Sequence, residues 1–317
     1  LLMALTGFVS AWLAIRARPD SADGSTIRIN GDVVEVGKSV SSKTARRVAV
    51  VISLIVGVIF GSQFNANWSE ILLMFNAQSF GTTDPQFGLD NGFYVFVLPG
   101  LKLVLAAVAM LLGVGLVFSV VTHVLMGGIR ITMPVNGRGL FSITKRCRRQ
   151  LGIWLMLNMF AWAVRQMIGV FDQLTVQGSR ITGASYTAVH ANIPVTFIMA
   201  ALTAILGVVL GIWLMRSHTL EGQASIGVRA SAALKAWRVP VTSIAVVVVV
   251  GLVLTVAWPV LLQRFRVNPN AQEMESTYIQ RNIDATRAAY GLDKLKTEQY
   301  KVTDKGEQGA LAKEGDT

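Results

Sequence analysis

Charge is what this sequence has least of. Of its 317 residues only 15% are Asp, Glu, Lys or Arg, while 52% are hydrophobic. A soluble domain of this length carries about a quarter charged residues. So small a share cannot give the chain a polar shell, and mean hydropathy is +0.52. The solvent this composition suits is a lipid bilayer. Cysteine is almost absent as well. Cys147 stands alone, which excludes an intramolecular disulfide framework and a cysteine-based zinc site. It lies in "KRCRR", 145–149, and reads as an incidental free thiol, with palmitoylation as the alternative. Histidine is confined to His123, His190 and His218, each in a different segment. No Gly-x-Ser-x-Gly elbow, His-Glu-x-x-His pair, Walker loop or dinucleotide glycine fingerprint occurs. No metal, no cofactor and no catalytic residue are expected from this segment.

What is present is apolar length. Six stretches, roughly 1–16, 47–66, 100–126, 149–172, 193–215 and 239–263, approach or reach the span of a bilayer. Lipid offers no partner to a free N–H or C=O, so these spans are expected as helices. The predicted fold is all-α: a polytopic transmembrane bundle over 1–266. Lysine and arginine set its direction. The linkers 16–47, 127–149 and 216–238 hold seventeen between them, whereas 67–99 holds none and 173–192 only Arg180. The basic linkers are therefore expected in the cytoplasm and the C-terminal segment outside, in a plasma membrane. The net charge of +11 then falls mostly at the inner leaflet. There Lys145, Arg146, Arg148 and Arg149 can meet anionic headgroups. A basic stripe interleaved with aromatics is missing, so no nucleic acid is expected as a partner.

The outer loops carry structure of their own. "NWSEILLMFNAQSF", 67–80, sets Trp68, Ile71, Leu72 and Phe75 on one helical face, which predicts an interfacial helix. "GTTDPQFGLDNGFYVFVLPG", 81–100, is an aromatic run that predicts a re-entrant or interfacial segment. Past the last span the chain turns polar, and 267–317 reads as the start of an extracytoplasmic domain. A helix is expected over about 271–290, with Pro269 at its entrance and Gly291 at its end, then a loosely ordered tail. Met274, Tyr278, Ala285 and Ala289 form its stripe, flanked by Ile279 and Ile283. The chain opens without an initiator methionine or a charged n-region, so its first stretch reads as the later half of a span, and the whole as a piece of a longer protein.

Three stretches point to a family. "DPQFGLDNGFYVFVLP" (84–99), "ITGASYTAVHANIP" (181–194) and "VNPNAQEMESTYIQRNIDATRAAYGLDK" (267–294) together resemble uncharacterised protein family 0182, and "THVLMGGIRI" (122–131) fits the end of one of its spans. The resemblance implies a large bacterial membrane protein of the kind common in actinobacteria, with seven spans followed by a long extracytoplasmic domain. The six spans here would be the second to the seventh. No reaction comes with the family.

Arg165 and Asp172 are the candidate intramembrane site. A cation at mid-membrane depth costs about 2.5–3.5 kcal/mol on insertion scales. The family pattern places a basic residue and an aspartate at these two positions, with lysine expected where Arg165 stands, and then an arginine where Gln173 stands. Seven residues make about two turns, so both side chains are expected on one face roughly 10 Å apart. An ion, proton or headgroup site is one reading; a structural charge pair, within the chain or across an oligomer interface, is the other. In the outer loops Asp84, Asp90 and His190 can meet, against the alternative of a solvated polar loop. "GVGLVFSVV", 113–121, and "GVVLG", 207–211, place small residues where helices approach closely. The leading expectation is a non-enzymatic anchor, a homo-oligomer or subunit of an envelope complex. The alternatives are a transporter or channel using Arg165, and an envelope enzyme or protease-associated scaffold whose active residues lie in the remaining outer domain.

Overall fold

A computed structural model describes residues 2–16, 25–29, 32–36, 42–65, 67–126, 128–131, 141–176, 182–217, 226–292 and 295. Their order is α1 (Leu2–Arg16), α2 (Ser42–Asn65), α3 (Trp68–Phe75), α4 (Leu98–Leu125), α5 (Lys145–Gly169), α6 (Ile193–Arg216), α7 (Ile226–Leu252), α8 (Trp258–Leu262) and α9 (Ala271–Ala289). Among the described residues two short antiparallel strand pairs interrupt the helices. One pairs β1 (Ser25–Ile29) with β2 (Asp32–Val36), the other β3 (Ile129–Ile131) with β4 (Phe141–Ile143). Their β-branched runs favour extended backbone, and both lie in the basic linkers between apolar stretches. The bundle is otherwise helical, as expected. Arg180, His218 and the tail 297–317 lie outside the described residues.

Proline shapes the long helices. Four π-helical turns occur among the described residues, Phe93–Val97, Ala188–Asn192, Val253–Ala257 and Gln263–Val267. Each ends two residues before a proline: Pro99, Pro194, Pro259 and Pro269. A proline has no N–H to give the carbonyl four residues back, and its ring crowds that carbonyl. That carbonyl belongs to the central residue of each π-turn, where the wider helix makes room and i→i+5 bonding supplies another donor. At Pro99, Pro194 and Pro259 the helix therefore runs through the proline instead of stopping, whereas at Pro269 it gives way to a turn, 268–270, before α9 begins. As a result the span expected at 100–126 begins at Phe93, and the aromatic run 93–97 is its first turn and a half, not a re-entrant loop.

Among the described residues four continuous helical stretches are long and apolar enough to cross a membrane: Phe93–Leu125, Lys145–Leu174, Ala188–Arg216 and Arg238–Val267. The other two apolar helices, Leu2–Arg16 and Arg47–Ile59, are shorter.

Small residues set the helix contacts. A methyl group added at Gly211 would lie 2.1 Å from Met156 Cγ, and one at Gly207 2.4 Å from Met159 Cβ. Gly152 answers from α5, its added methyl 2.9 Å from the Gly211 carbonyl oxygen. The two backbones thus approach as small residues in apolar helices allow. Between α4 and α5, Gly115 lies under the Trp154 ring, while Asn158 Nδ2 donates to the Leu112 carbonyl at 3.1 Å. Gly7 of α1 meets Ser53 of α2 and Phe118 of α4. Gly113, in the same expected small-residue run, faces open space, its nearest neighbour 3.9 Å away.

The antiparallel succession gives the bundle two ends. One, the basic end, joins Arg16 to the start of α5, where Arg146 Nη1 donates to the Arg16 carbonyl at 3.4 Å. The other, the loop end, gathers 67–97, 170–176, 182–192 and 263–291. Gly211→Val should overpack the α5–α6 contact and cost about 1–3 kcal/mol, read as a lower midpoint of thermal unfolding in mild detergent. Gly113→Ala, with room for its methyl, should leave the midpoint unchanged or raise it.

Candidate functional site

At the loop end two aspartates hold the segment 79–92 together. Asp90 Oδ1 accepts from the N–H of Phe80 (3.0 Å) and Gly92 (2.7 Å), and Oδ2 from Ser79 Oγ (2.5 Å) and the N–H of Gly81 (3.1 Å). Asp84 is buried. Its Oδ1 accepts from the N–H of Gln86 (2.8 Å) and Phe87 (2.7 Å), and its Oδ2 from the N–H of Leu89 (3.0 Å) and the Tyr94 hydroxyl (2.8 Å). A carboxylate offers about four acceptor sites, and both are full. Burial works against the charge on Asp84, but the bonds from Phe87, Tyr94, Gln86 and Leu89 outweigh it and hold the carboxyl below its ordinary value. At Asp90 the Ser79 and backbone bonds do the same. These two carboxylates build a loop and have no acceptor site left for a metal.

His190 does not join them. Its ring stacks on Tyr186 at 4.1 Å between centroids, with Nδ1 3.1 Å from the Tyr186 carbonyl and 3.5 Å from the Tyr278 hydroxyl. The π-turn Ala188–Asn192 aims it at α9 instead of at residues 84–90. Among the described residues no three His, Cys, Asp or Glu side chains come together as a metal site.

α9 fastens to both loops. Its Glu275, buried, accepts from the Tyr186 N–H at 3.1 Å. Asn282 Nδ2 donates to the Thr182 carbonyl at 2.8 Å, and Arg281 Nη1 reaches Gln86 Oε1 at 3.4 Å. The face that packs is therefore polar in large part. Met274 and Tyr278 of the expected stripe are half-buried, while Ile283, Ala285 and Ala289 are exposed. Between α9 and the loops lies a cleft of about 350 Å³, lined among others by Asp84, Gln86, Tyr94, Leu174, Thr182 and Arg281. Below it Phe171 meets Phe87, Phe93 and Tyr94 edge-on, 5.0–6.3 Å between centroids.

The intramembrane pair differs from the expected one. Asp172 accepts from Lys102 Nζ of α4. Arg165 is exposed on the bundle surface and has no ion-pair or hydrogen-bond partner among the described residues. α5 ends at Gly169 and Val170–Leu174 continue as a 3₁₀ turn, which rotates Asp172 by about 60° from its place in a continuous α-helix, and it is Lys102 of α4 that comes within reach of it. Lys102 was missed, though a signal for it existed: it is the one charged residue in 100–126. Nearby, Asn192 Nδ2 donates to Gln173 Oε1 (3.3 Å) and Gln166 Nε2 to Thr203 Oγ1 (3.1 Å).

At the basic end the four-residue cluster divides. Lys145, Arg146 and Arg149 are exposed, but Arg148 is buried beside Cys147, so it is not available to a headgroup. His123 Nε2 lies 3.0 Å from Gln150 Oε1, and Gln150 Nε2 donates to the Ser10 carbonyl at 3.0 Å, tying α4, α5 and α1 together.

The three segments that converge at the loop end are those whose sequence resembled a known family, and residues 1–317 match its description, Uncharacterised protein family (UPF0182). The chain belongs to UPF0182. It is 78% identical over 98% of its length to a UPF0182 protein of Bifidobacterium adolescentis. It is 34% identical over 100% to one of Kocuria rhizophila, and 32% over 91% to one of Corynebacterium efficiens. The chain spans 29%, 29% and 27% of those relatives. No solved structure matches it.

Two expectations test this UPF0182 loop end. Asp84→Asn should lose charge-assisted bonds on the order of 1–3 kcal/mol, read as faster hydrogen exchange at the amides of Gln86, Phe87 and Leu89. Acid should do the same to the parent. Because the folded carboxyl titrates below its ordinary 3.8, the loop is fully held above that pH and loosens as pH falls through the lowered value. For the ion pair, the losses of stability in Lys102→Met and Asp172→Asn should sum to more than the loss in the double variant, a coupling of about 0.5–3 kcal/mol, read from the unfolding midpoints. Strict additivity would mean that the pair is not formed.

Proposed function

We propose that this segment is the membrane anchor and docking platform of a larger envelope protein, and that it carries no reaction of its own. In this reading the basic end faces the cytoplasm, the loop end faces outward, and the continuing chain forms an extracytoplasmic domain. The observation that supports it is the clamp at the loop end. As the chain leaves its last long helix, Glu275, Arg281 and Asn282 of α9 bind both loops. α9 is thereby held in a set orientation to the bundle, at the point where the chain goes on. Oligomeric assembly is part of the proposal. Arg165 projects from the bundle surface near the level of Thr203, around the middle of α6, and an intramembrane cation at such a place calls for a partner. A carboxylate or carbonyl of a neighbouring subunit would supply one. The transporter alternative needs Arg165 in an interior path, and its outward position counts against that role.

Sidedness is tested with single cysteines in a Cys147→Ser background. Those at Ala77 and Thr182, both exposed at the loop end, should react with an impermeant thiol reagent in intact cells. One at Lys43, exposed at the basic end, should not; the reverse pattern overturns the orientation. The scaffold role is tested on the full-length protein with Glu275→Ala/Asn282→Ala and with Arg165→Met. The first should raise hydrogen exchange in α9, and both should weaken assembly on native gels. Liposomes containing the parent should show no ion flux. Flux that vanishes in Arg165→Met while assembly stays intact would sink the anchor reading.

A further inference from the structure

The cleft between α9 and the loops has a specific chemistry. Its volume of about 350 Å³ falls within the range of small-ligand sites, roughly 300–1,000 Å³. Two ionisable side chains of opposite sign line it, Asp84 and Arg281, and they differ in what they still offer. Asp84 has its acceptor sites filled by three backbone N–H groups and the Tyr94 hydroxyl. Arg281 carries five donors. Among the described residues it has a single hydrogen bond, the long one to Gln86 Oε1 at 3.4 Å, and its guanidinium sits 5.5 Å from the Tyr278 ring centre. The ring and the contact with Gln86 orient the guanidinium without saturating it. What the site can newly bind is therefore an acceptor, and a charged one is favoured, since charge-assisted bonds are the strong ones.

The remaining walls are mixed. Val95, Leu174, Ala184 and Ala285 supply apolar surface, and Asn91 and Asn282 supply amides. Val95 lies in the first turn of the stretch Phe93–Leu125, and Leu174 closes the stretch Lys145–Leu174. The cleft thus opens where two membrane-length helices end, the depth at which phosphate headgroups lie over acyl chains.

We propose that this cleft binds an amphiphilic oxyanion, a phosphate ester whose head is held by Arg281 and whose apolar part rests on Val95, Leu174 and Ala285. The head chemistry has two sources, an anionic phospholipid of the surrounding leaflet or a free organic phosphate. Because Arg281 belongs to α9 while Val95 and Leu174 belong to the bundle, the bound ligand bridges the two and tightens the clamp.

The test uses full-length protein in a neutral detergent and four variants of the probe. Dihexanoylphosphatidylglycerol carries head and tail, glycerol 3-phosphate the organic head, inorganic phosphate the bare anion, and dihexanoylglycerol the tail without charge. The first should bind saturably, raise the thermal midpoint and slow hydrogen exchange in α9. Arg281→Gln should weaken its affinity by about tenfold or more, and Arg281→Lys by less. Ala285→Trp, at an exposed position on the rim, should block the cleft and abolish binding with the fold intact. Tighter binding of the phosphatidylglycerol than of glycerol 3-phosphate upholds the site and makes the source a lipid, whereas equal binding would leave the apolar walls without a role and overturn the amphiphilic ligand. Dihexanoylglycerol binding as well as the phosphatidylglycerol, unchanged affinity in Arg281→Gln and Ala285→Trp, or no binding of any phosphate probe would each overturn it.

Discussion

Every carbonyl in an apolar helix must find a donor inside the protein, and proline removes one. Four of the eight prolines follow π-turns by two residues, at Pro99, Pro194, Pro259 and Pro269. At the first three the widened turn keeps the helix continuous where an ordinary one would break, and at Pro269 it leads into the turn before α9. The loop end depends on this solution. The turn Phe93–Val97 carries Tyr94 to Asp84, Ala188–Asn192 carries His190 to Tyr278 and Asn192 to Gln173, and Gln263–Val267 leads into α9.

Around those turns the loop end is joined by polar contacts in place of an apolar core. Asp84 and Asp90 gather backbone N–H groups that no strand or helix would satisfy, which is why 79–92 holds a defined path with one isolated bridge, Thr83 to Asp90. α3 lies against this end through Met74, which packs on Gly100. Its Trp68, Leu72 and Phe75 stay exposed, as an interfacial helix requires. The Lys102–Asp172 pair adds a long-range tie between α4 and the end of α5. Lys102 replaces Arg165 as the partner, and Arg165 is left to face whatever surrounds the bundle.

The basic end follows a different rule. There the ties are the Ser10–Gln150–His123 chain and the burial of Met126, Cys147 and Arg148, with exposed lysine and arginine outside. Between the two ends α5 and α6 pack through Gly152, Gly207 and Gly211.

Composition and hydropathy alone determined that the chain builds apolar helices, where the long ones run to within a few residues at most ends, and which linkers are basic. The family was legible in three short stretches because turn-forming and polar residues there are specific. Gly207 and Gly211 were readable as contacts, since four-residue spacing of small residues has one structural use in lipid. Partnership was not readable. Whether Asp172 meets Arg165 or Lys102 depends on a residue seventy positions away on another helix. Whether Asp84, Asp90 and His190 converge depends on the path of two loops and a helix that are distant in sequence. Periodicity describes one element's face, whereas a side chain's partner is set by the rotation of two elements against each other, and only the tertiary structure decided that.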